Sequence, residues 1–254
     1  DVNDFFGENN RNHFKGICNK PLQLCIIHIT KALKYLHNLH IIHRDVKLQN
    51  ILIKKNGKDY IFKLADFGFA CFDLECSLND SLNVSDADFS SNSIKKKYYK
   101  LCGTPYYMAP EIILNLNKFE RLSESKNIQT KFYDKNVDMW SFGMSLYELI
   151  FNSLPYSNIS DIYDLKDVFS NKETQISLSK TIKNTNIITE ILKDLLNALL
   201  VINSQKRINV FTLHKIVESL HEKEFENLIP NTEILEIEEN FPKELRKDII
   251  TEPL

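Results

Sequence analysis

The sequence predicts a mainly α protein, α+β overall, with one small β element near its start. Three observations carry this. Apolar residues recur at steps of three and four in separate windows, and one further window is apolar nearly all round. A single Asn-Gly pair, Asn56-Gly57, sits between two short apolar runs, which is a hairpin signal.

Residues 1–20 are polar and irregular apart from Phe5-Phe6. From Pro21 a helix is expected, because Leu22, Ile26, Ile29, Leu33 and Leu36 form one stripe and proline suits a first turn. Ile51-Leu52-Ile53 and Ile61-Phe62-Lys63-Leu64 are the arms of the hairpin. Residues 73–100 are rich in Ser, Asn, Asp and Lys and are expected to form a long mobile loop. The window from Asn136 to Phe151 is apolar on every side, so it predicts a helix in the middle of the domain. Two more helices are expected, one over Ile188 to Leu200 and one over Val210 to Leu220. The acidic stretch 223–254, with Pro230, Pro242 and Pro253, is expected to be a partly ordered tail. There is no internal repeat.

At 254 residues, 43% hydrophobic and 26% charged, the chain can build a core, which excludes a wholly disordered protein. A net charge of −2 argues against a nucleic-acid binder working through a basic surface. No apolar run is long enough to cross a bilayer, and Asp1-Val2-Asn3-Asp4 does not begin a signal peptide. The five cysteines (Cys18, Cys25, Cys71, Cys76, Cys102) lack zinc-site spacing, with Cys71 and Cys76 the nearest pair. A reducing, cytoplasmic setting is expected, which makes the Asn-X-Ser tripeptides at Asn83 and Asn158 irrelevant to glycosylation. Only five basic residues are arginine, and glycine occurs six times. With Lys and Asn so favoured, a coding bias such as an A/T-rich genome is indicated, and an apicomplexan-like parasite is one source that fits. The few Arg and Gly that remain are the more informative.

Chemistry concentrates in one region. His43-Arg44-Asp45 precedes Lys47 and Asn50, and Asp66-Phe67-Gly68 follows the hairpin. A hairpin brings its ends together, so Asp45, Asn50 and Asp66 can converge. Two acids and an amide oxygen suit a hard cation such as Mg2+. A lysine beside them can balance phosphate charge, which is the inventory of phosphoryl transfer.

These motifs resemble those of the eukaryotic protein kinases. Ile42 to Asn50 is similar to the catalytic loop, and Asp66-Phe67-Gly68 to the metal-binding triplet. Gly103 to Glu111 is similar to the substrate-docking segment ending in Ala-Pro-Glu, and Asp138 to Gly143 to the start of the central helix. The resemblance implies a protein-kinase-like C-terminal lobe over residues 1–222, with an activation segment at 66–111 and an insertion at about 73–100. ATP and Mg2+ are the implied cofactors, and a protein substrate phosphorylated on Ser or Thr is the implied partner, with regulatory subunits as a further class.

The implied roles attach residue by residue. Asp45 would accept or orient the substrate hydroxyl proton, Lys47 would contact the γ-phosphate, and Asn50 and Asp66 would hold Mg2+. Leu52 would lie under the adenine and Asp1 would touch the ribose. Gly103, Thr104 and Pro105 would dock substrate. His43 and Phe67 would stack in a hydrophobic spine, Asp138 would tie the catalytic-loop backbone to the buried helix, and Arg207 would pair with Glu111. Lys47 with Thr104 resembles serine/threonine rather than tyrosine kinases. Six other histidines (His13, His28, His37, His40, His214, His221) are expected to be surface or helix residues. The run Lys95-Lys96-Lys97 is expected to be a solvated loop.

Two departures stand out. The Gly-rich loop, the strand lysine and its helix glutamate do not occur, so an N-terminal lobe is expected to be absent, leaving a fragment with half an ATP site that turns over negligibly by itself. Arg44 implies a phosphate-activated kinase, but Lys100 occupies the usual phosphosite; Ser90, Ser91, Ser93, Tyr98 and Tyr99 are substitutes. Gln49, Phe69 and Ala70 make the motifs most similar to the autophagy-initiating kinases, with calcium/calmodulin-dependent-like kinases next. The competing function is a pseudokinase or scaffold, which would not need Asp45, Lys47, Asn50 and Asp66 intact. A small-molecule kinase is disfavoured by Gly103 to Glu111.

Overall fold

The computed structural model describes residues 19–57, 59–73, 102–117, 134–156, 158–159 and 161–220. The expectations for Asp1, for most of the 73–100 loop with Lys95 to Lys97 and Lys100, and for the 223–254 tail lie outside these residues.

The helix predicted from Pro21 is α1, Asn19–Asn38, and its stripe of Leu22, Ile26, Ile29 and Leu33 is fully buried. It packs against the hairpin and against the last helix. Each such aliphatic side chain contributes about 1.5–3 kcal/mol by leaving water. His40, at φ +55°, turns the chain out of the helix into the two-residue strand β1, Ile41–Ile42. The predicted hairpin is β2 (Ile51–Asn56) and β3 (Asp59–Leu64), antiparallel from Ile51 opposite Leu64 to Asn56 opposite Asp59. Gly57 takes the turn at φ +63°.

A second β element was not predicted. Strand β4, Cys71–Phe72, pairs antiparallel with β1, with Ile42 opposite Cys71 and Ile41 opposite Phe72. Two-residue strands leave no alternation to detect. Helix α2, Pro110–Leu114, starts on its proline. The central helix α3, Asn136–Phe151, buries every residue except Asn136, Glu148 and Phe151. Its Gly143 lets the end of the later helix Glu190–Leu199 come close: a Cβ there would lie 2.9 Å from Leu199 Cβ and 2.9 Å from Leu200 Cδ2.

Two helices not expected from the sequence complete the periphery, α4 (Ile162–Ser170) and α5 (Glu173–Asn184). They are followed by the two predicted ones, α6 (Glu190–Leu199) and α7 (Val210–Ser219). Asp161 Oδ1 caps α4 by accepting from Tyr163 N–H at 2.7 Å, and Asn209 Oδ1 caps α7 by accepting from Thr212 N–H at 3.0 Å. No helix among the described residues is long and apolar enough to cross a membrane.

Candidate active site

The turn between β1 and β2 is nailed to the first turn of α3 by one buried carboxylate. Asp138 Oδ1 accepts from Arg44 N–H at 2.8 Å, and Oδ2 accepts from His43 N–H and from His37 Nε2–H, each at 2.9 Å. Burial would raise this carboxyl, but the hydrogen bond and charge of His37, with His43, outweigh it and hold Asp138 below the usual carboxylate range. Arg44 sits at φ +70° within this bracket, and its Nε donates to Phe69 carbonyl at 2.6 Å.

The bracket positions a closed polar network. Asp45 is only 3% exposed, and both of its carboxylate oxygens are occupied. Oδ1 accepts from Thr104 N–H and Thr104 Oγ1–H, both at 3.1 Å. Oδ2 accepts from Asn50 Nδ2 at 2.9 Å and from Lys47 Nζ at 2.9 Å. Asn50 Nδ2 also donates to the Asp45 carbonyl at 2.8 Å, and Lys47 Nζ donates to Thr104 Oγ1 at 2.8 Å. The structure thus brings Asp45, Lys47, Asn50 and Thr104 together, and Lys47 is neutralised by Asp45 rather than held apart.

Asp66 lies beyond the hairpin, and Ala65 N–H donates to Asn50 carbonyl at 2.8 Å, which closes the hairpin's open end. Asp66 adopts φ +60°, is exposed, and accepts from Gly68 N–H through Oδ1 at 3.1 Å. His43 orients the triplet: its Nε2–H donates to Ala65 carbonyl at 3.0 Å while Nδ1 accepts from Asp45 N–H at 3.4 Å. Phe67 meets the His43 ring edge-on at 5.0 Å but is 51% exposed. The expected spine is therefore a contact on one face only. Leu52 is likewise exposed on β2.

The residues fit a hard cation. Asn50 spends its amide N–H groups on Asp45, leaving carbonyl oxygen Oδ1, and the exposed Asp66 carboxylate keeps Oδ2. Among the described residues no three His, Cys, Asp or Glu side chains gather as a metal site. Two protein oxygens completed by phosphate oxygens and water is how Mg2+ is commonly bound.

The segment Gly103-Thr104-Pro105 is pressed against this network. Gly103 has φ +105°, and a Cβ on it would lie 2.7 Å from the Arg44 carbonyl oxygen. The following one-turn 3-10 helix, Pro105–Tyr107, is held on α3: Ser141 Oγ donates to Tyr107 carbonyl at 2.7 Å, and Tyr107 hydroxyl donates to Glu148. Burial, with this bond, pushes the Tyr107 hydroxyl up, and burial raises the Glu148 carboxyl. Downstream, Glu111 and Arg207 form a two-pronged ion pair, Nη1 to Oε1 and Nη2 to Oε2, each at 2.8 Å. The Arg207 side chain is fully buried, also donating to Val201 and Asn136 carbonyls and lying over Trp140 at 5.3 Å.

His37 is a helix residue, as expected, but a buried one: it lies on α1 four residues after Leu33, on the stripe's own side, and its ring donates to Asp138. His214 is buried as well, 3.2 Å from Lys34 Nζ.

A fully occupied buried carboxylate, a lysine, an amide oxygen and an exposed acid thus stand on a mainly helical scaffold. Residues 8–220 match the family described as protein kinase domain, and the chain belongs to that family. It is 38% identical over 134 residues to a probable serine/threonine-protein kinase of Dictyostelium discoideum, covering 52% of this chain and 25% of that one. It is 34% identical over 139 residues to cAMP-dependent protein kinase type 3 of Saccharomyces cerevisiae, covering 55% and 25%. With serine/threonine-protein kinase ULK3 of Xenopus laevis the identity is 32% over 219 residues, covering 85% and 36%. The chain thus spans between a quarter and about a third of the length of these relatives.

Proposed function

We propose that this chain carries the catalytic loop, metal-binding triplet and substrate-docking segment of an ATP-dependent protein serine/threonine kinase. The observation that supports this most is the Asp45–Lys47–Asn50–Thr104 network, with Asp66 next in sequence to the Ala65 that bonds Asn50 carbonyl. Asp45 orients the incoming Ser or Thr hydroxyl and takes its proton as the oxygen attacks phosphorus. Lys47 shifts from Asp45 toward the γ-phosphate, so the charge it neutralises moves with the reaction. Asn50 Oδ1 and Asp66 hold Mg2+, which when bound neutralises the phosphate oxygens. Thr104 ties the docking segment to Asp45, so an acceptor lying along Gly103-Thr104-Pro105 is presented to the catalytic carboxylate.

Residues 1–222 are the proposed extent of the kinase C-terminal lobe, with 223–254 as its tail. The remaining ATP phosphate contacts come, in this proposal, from an N-terminal lobe of the same protein, which fits the exposure of Leu52 and Phe67. Asp1 would meet the ribose. The finer assignment, to the autophagy-initiating subfamily acting in the cytoplasm, rests on Gln49, Phe69 and Ala70 and agrees with the similarity to ULK3.

The test is a kinase assay on the full-length gene product beside its Asp66→Asn variant. Transfer to a Ser/Thr peptide that disappears in the variant supports the proposal. No transfer and no Mg·ATP binding by the full-length protein would sink it and move the function to a binding scaffold. Transfer by the 254-residue chain alone would overturn the two-lobe part.

A further inference from the structure

Helix α6 ends at Leu199, and the strip that follows it, Leu200-Val201-Ile202, is no longer in a helix that could satisfy its backbone. One side chain on α5 takes over. Gln175 Nε2–H donates to the Leu200 carbonyl at 3.0 Å, and Gln175 Oε1 accepts from Ile202 N–H at 2.6 Å. A carboxamide carries a donor and an acceptor side by side, so it grips residues 200 and 202 as a neighbouring strand would. The carbonyls of Val201 and Ile202 accept from Arg207, at 2.9 Å from Nε and 3.4 Å from Nη2. The strip is therefore held by Gln175 through one set of backbone groups and holds Arg207 through another. Arg207 in turn carries both carboxylate oxygens of Glu111, where the docking segment ends.

We propose that Gln175 is a positioning residue for the substrate-docking segment, acting through the strip 200–202 and Arg207 on Glu111. Among the described residues its side-chain hydrogen bonds go to Leu200 and Ile202, and none goes to the Asp45 network. Its influence runs through the shape of the guanidinium. That group is a rigid plane whose donors point in fixed directions. Two of the acceptors on it are carbonyls of the strip, so a strip released from Gln175 turns the plane, and the edge that meets Glu111 turns with it.

The docking segment is fastened at both ends, by Thr104 to Asp45 and by Glu111 to Arg207. A shift at the Glu111 end spoils the seating of the acceptor peptide and leaves the groups proposed for Mg2+ and ATP where they are. This last step rests on the kinase function proposed above; the link between Gln175 and Arg207 does not.

The full-length gene product is compared with Gln175→Leu, Arg207→Met and the two together, all at a temperature where each is folded. Gln175→Leu should lower kcat/KM for a Ser/Thr peptide by about fivefold while the KM for ATP stays within about twofold. Added to Arg207→Met, it should cost almost nothing further, because the link it acts through is already cut. If a variant fails to fold, Gln175→Asn, too short to reach both backbone groups, or Glu111→Gln takes its place in the cycle. Wild-type peptide kinetics in Gln175→Leu, an equal rise in the KM for ATP, or losses that add in full would each overturn the proposal. If the wild-type protein transfers no phosphate, the kinase reading falls and the docking role with it. Thermal unfolding of the same four proteins then decides the remaining link: non-additive losses uphold the coupling of Gln175 to Arg207, and additive ones sink it.

Discussion

The Glu111–Arg207 pair allows a magnitude to be worked from contacts. Arg207 is buried and makes five donor contacts, two of them to Glu111 and three to the carbonyls of Asn136, Val201 and Ile202. Replacing Glu111 with Gln removes the only carboxylate on that guanidinium among the described residues but keeps one side-chain acceptor. Breaking a buried pair costs about 3–5 kcal/mol, and the surviving acceptors place Glu111→Gln at the lower end, about 3 kcal/mol. For a domain of this size each kcal/mol moves the melting midpoint by about 2–4 °C, so a fall of about 6–12 °C is expected. Arg207→Met should cost a similar amount by leaving the Glu111 carboxylate without its partner. The double variant Glu111→Leu/Arg207→Met should lose less than the two singles summed, because neither charge is then stranded. Thermal and urea unfolding give the stabilities. Trp140, the only tryptophan, lies 5.3 Å from the guanidinium and reports the same site by fluorescence. Losses below about 1 kcal/mol for Glu111→Gln would mean the pair behaves as an exposed one, and the reasoning from burial fails.

Other outcomes follow from single atoms. Gly103→Ala places a Cβ 2.7 Å from a backbone carbonyl at φ +105°, so the segment must shift, at a cost of about 1–3 kcal/mol. In the full-length enzyme it should depress transfer more than ATP binding; equal losses in both would refute the placement of Gly103 at the docking end. The two carboxyls of α3 are shifted in opposite directions and predict opposite pH limbs. Asp138, held low, contributes stability that is complete above about pH 4 and lost as pH falls through its folded value, so Asp138→Asn should remove part of the acid limb. Glu148, held high, favours the fold while protonated and loses that contribution as pH rises above about 4.3. Glu148→Gln should flatten that decline while keeping an acceptor for Tyr107. A pH–stability profile unchanged in either variant would refute the corresponding shift.

What was legible in the sequence was what repeats or clusters. The α1 stripe, the all-round apolar α3 and the Asn56-Gly57 turn each encode their element within a few residues, because burial on one face or all faces leaves a period. The hairpin likewise brings Ala65, the neighbour of Asp66, onto Asn50 through a backbone hydrogen bond of 2.8 Å. Other features carried no local signal. Strand β4 has two residues, and its pairing is set by the close approach of the segment after Gly68. Helices α4 and α5 each bury only two apolar residues, Leu165 with Phe169 and Leu178 with Ile182, while Ile176 is exposed, so each leaves a short signal. His37 reads as any helix histidine until α3 is folded against it. The resemblance implies a phosphate contact for Lys47; what the sequence did not reveal is its pairing with Asp45 at 2.9 Å, which needs the turn between them to be folded.

Helix α3 has a further consequence for how this chain can change. Its first turn fixes the turn at His43 and Arg44 through Asp138, and its later turns fix Tyr107 through Ser141 and Glu148. The two stretches are thus surveyed from one common benchmark as well as from each other. The bonds that hold these stretches all lie within the described residues on either side of the joint from residue 73 to residue 102. Lengthening that joint costs only a slowly growing closure entropy, about 0.6 kcal/mol per doubling. Lineages can therefore rewrite the joint in length and composition, and hang new signals on it, while the distance from Thr104 to Asp45 stays where the helix put it.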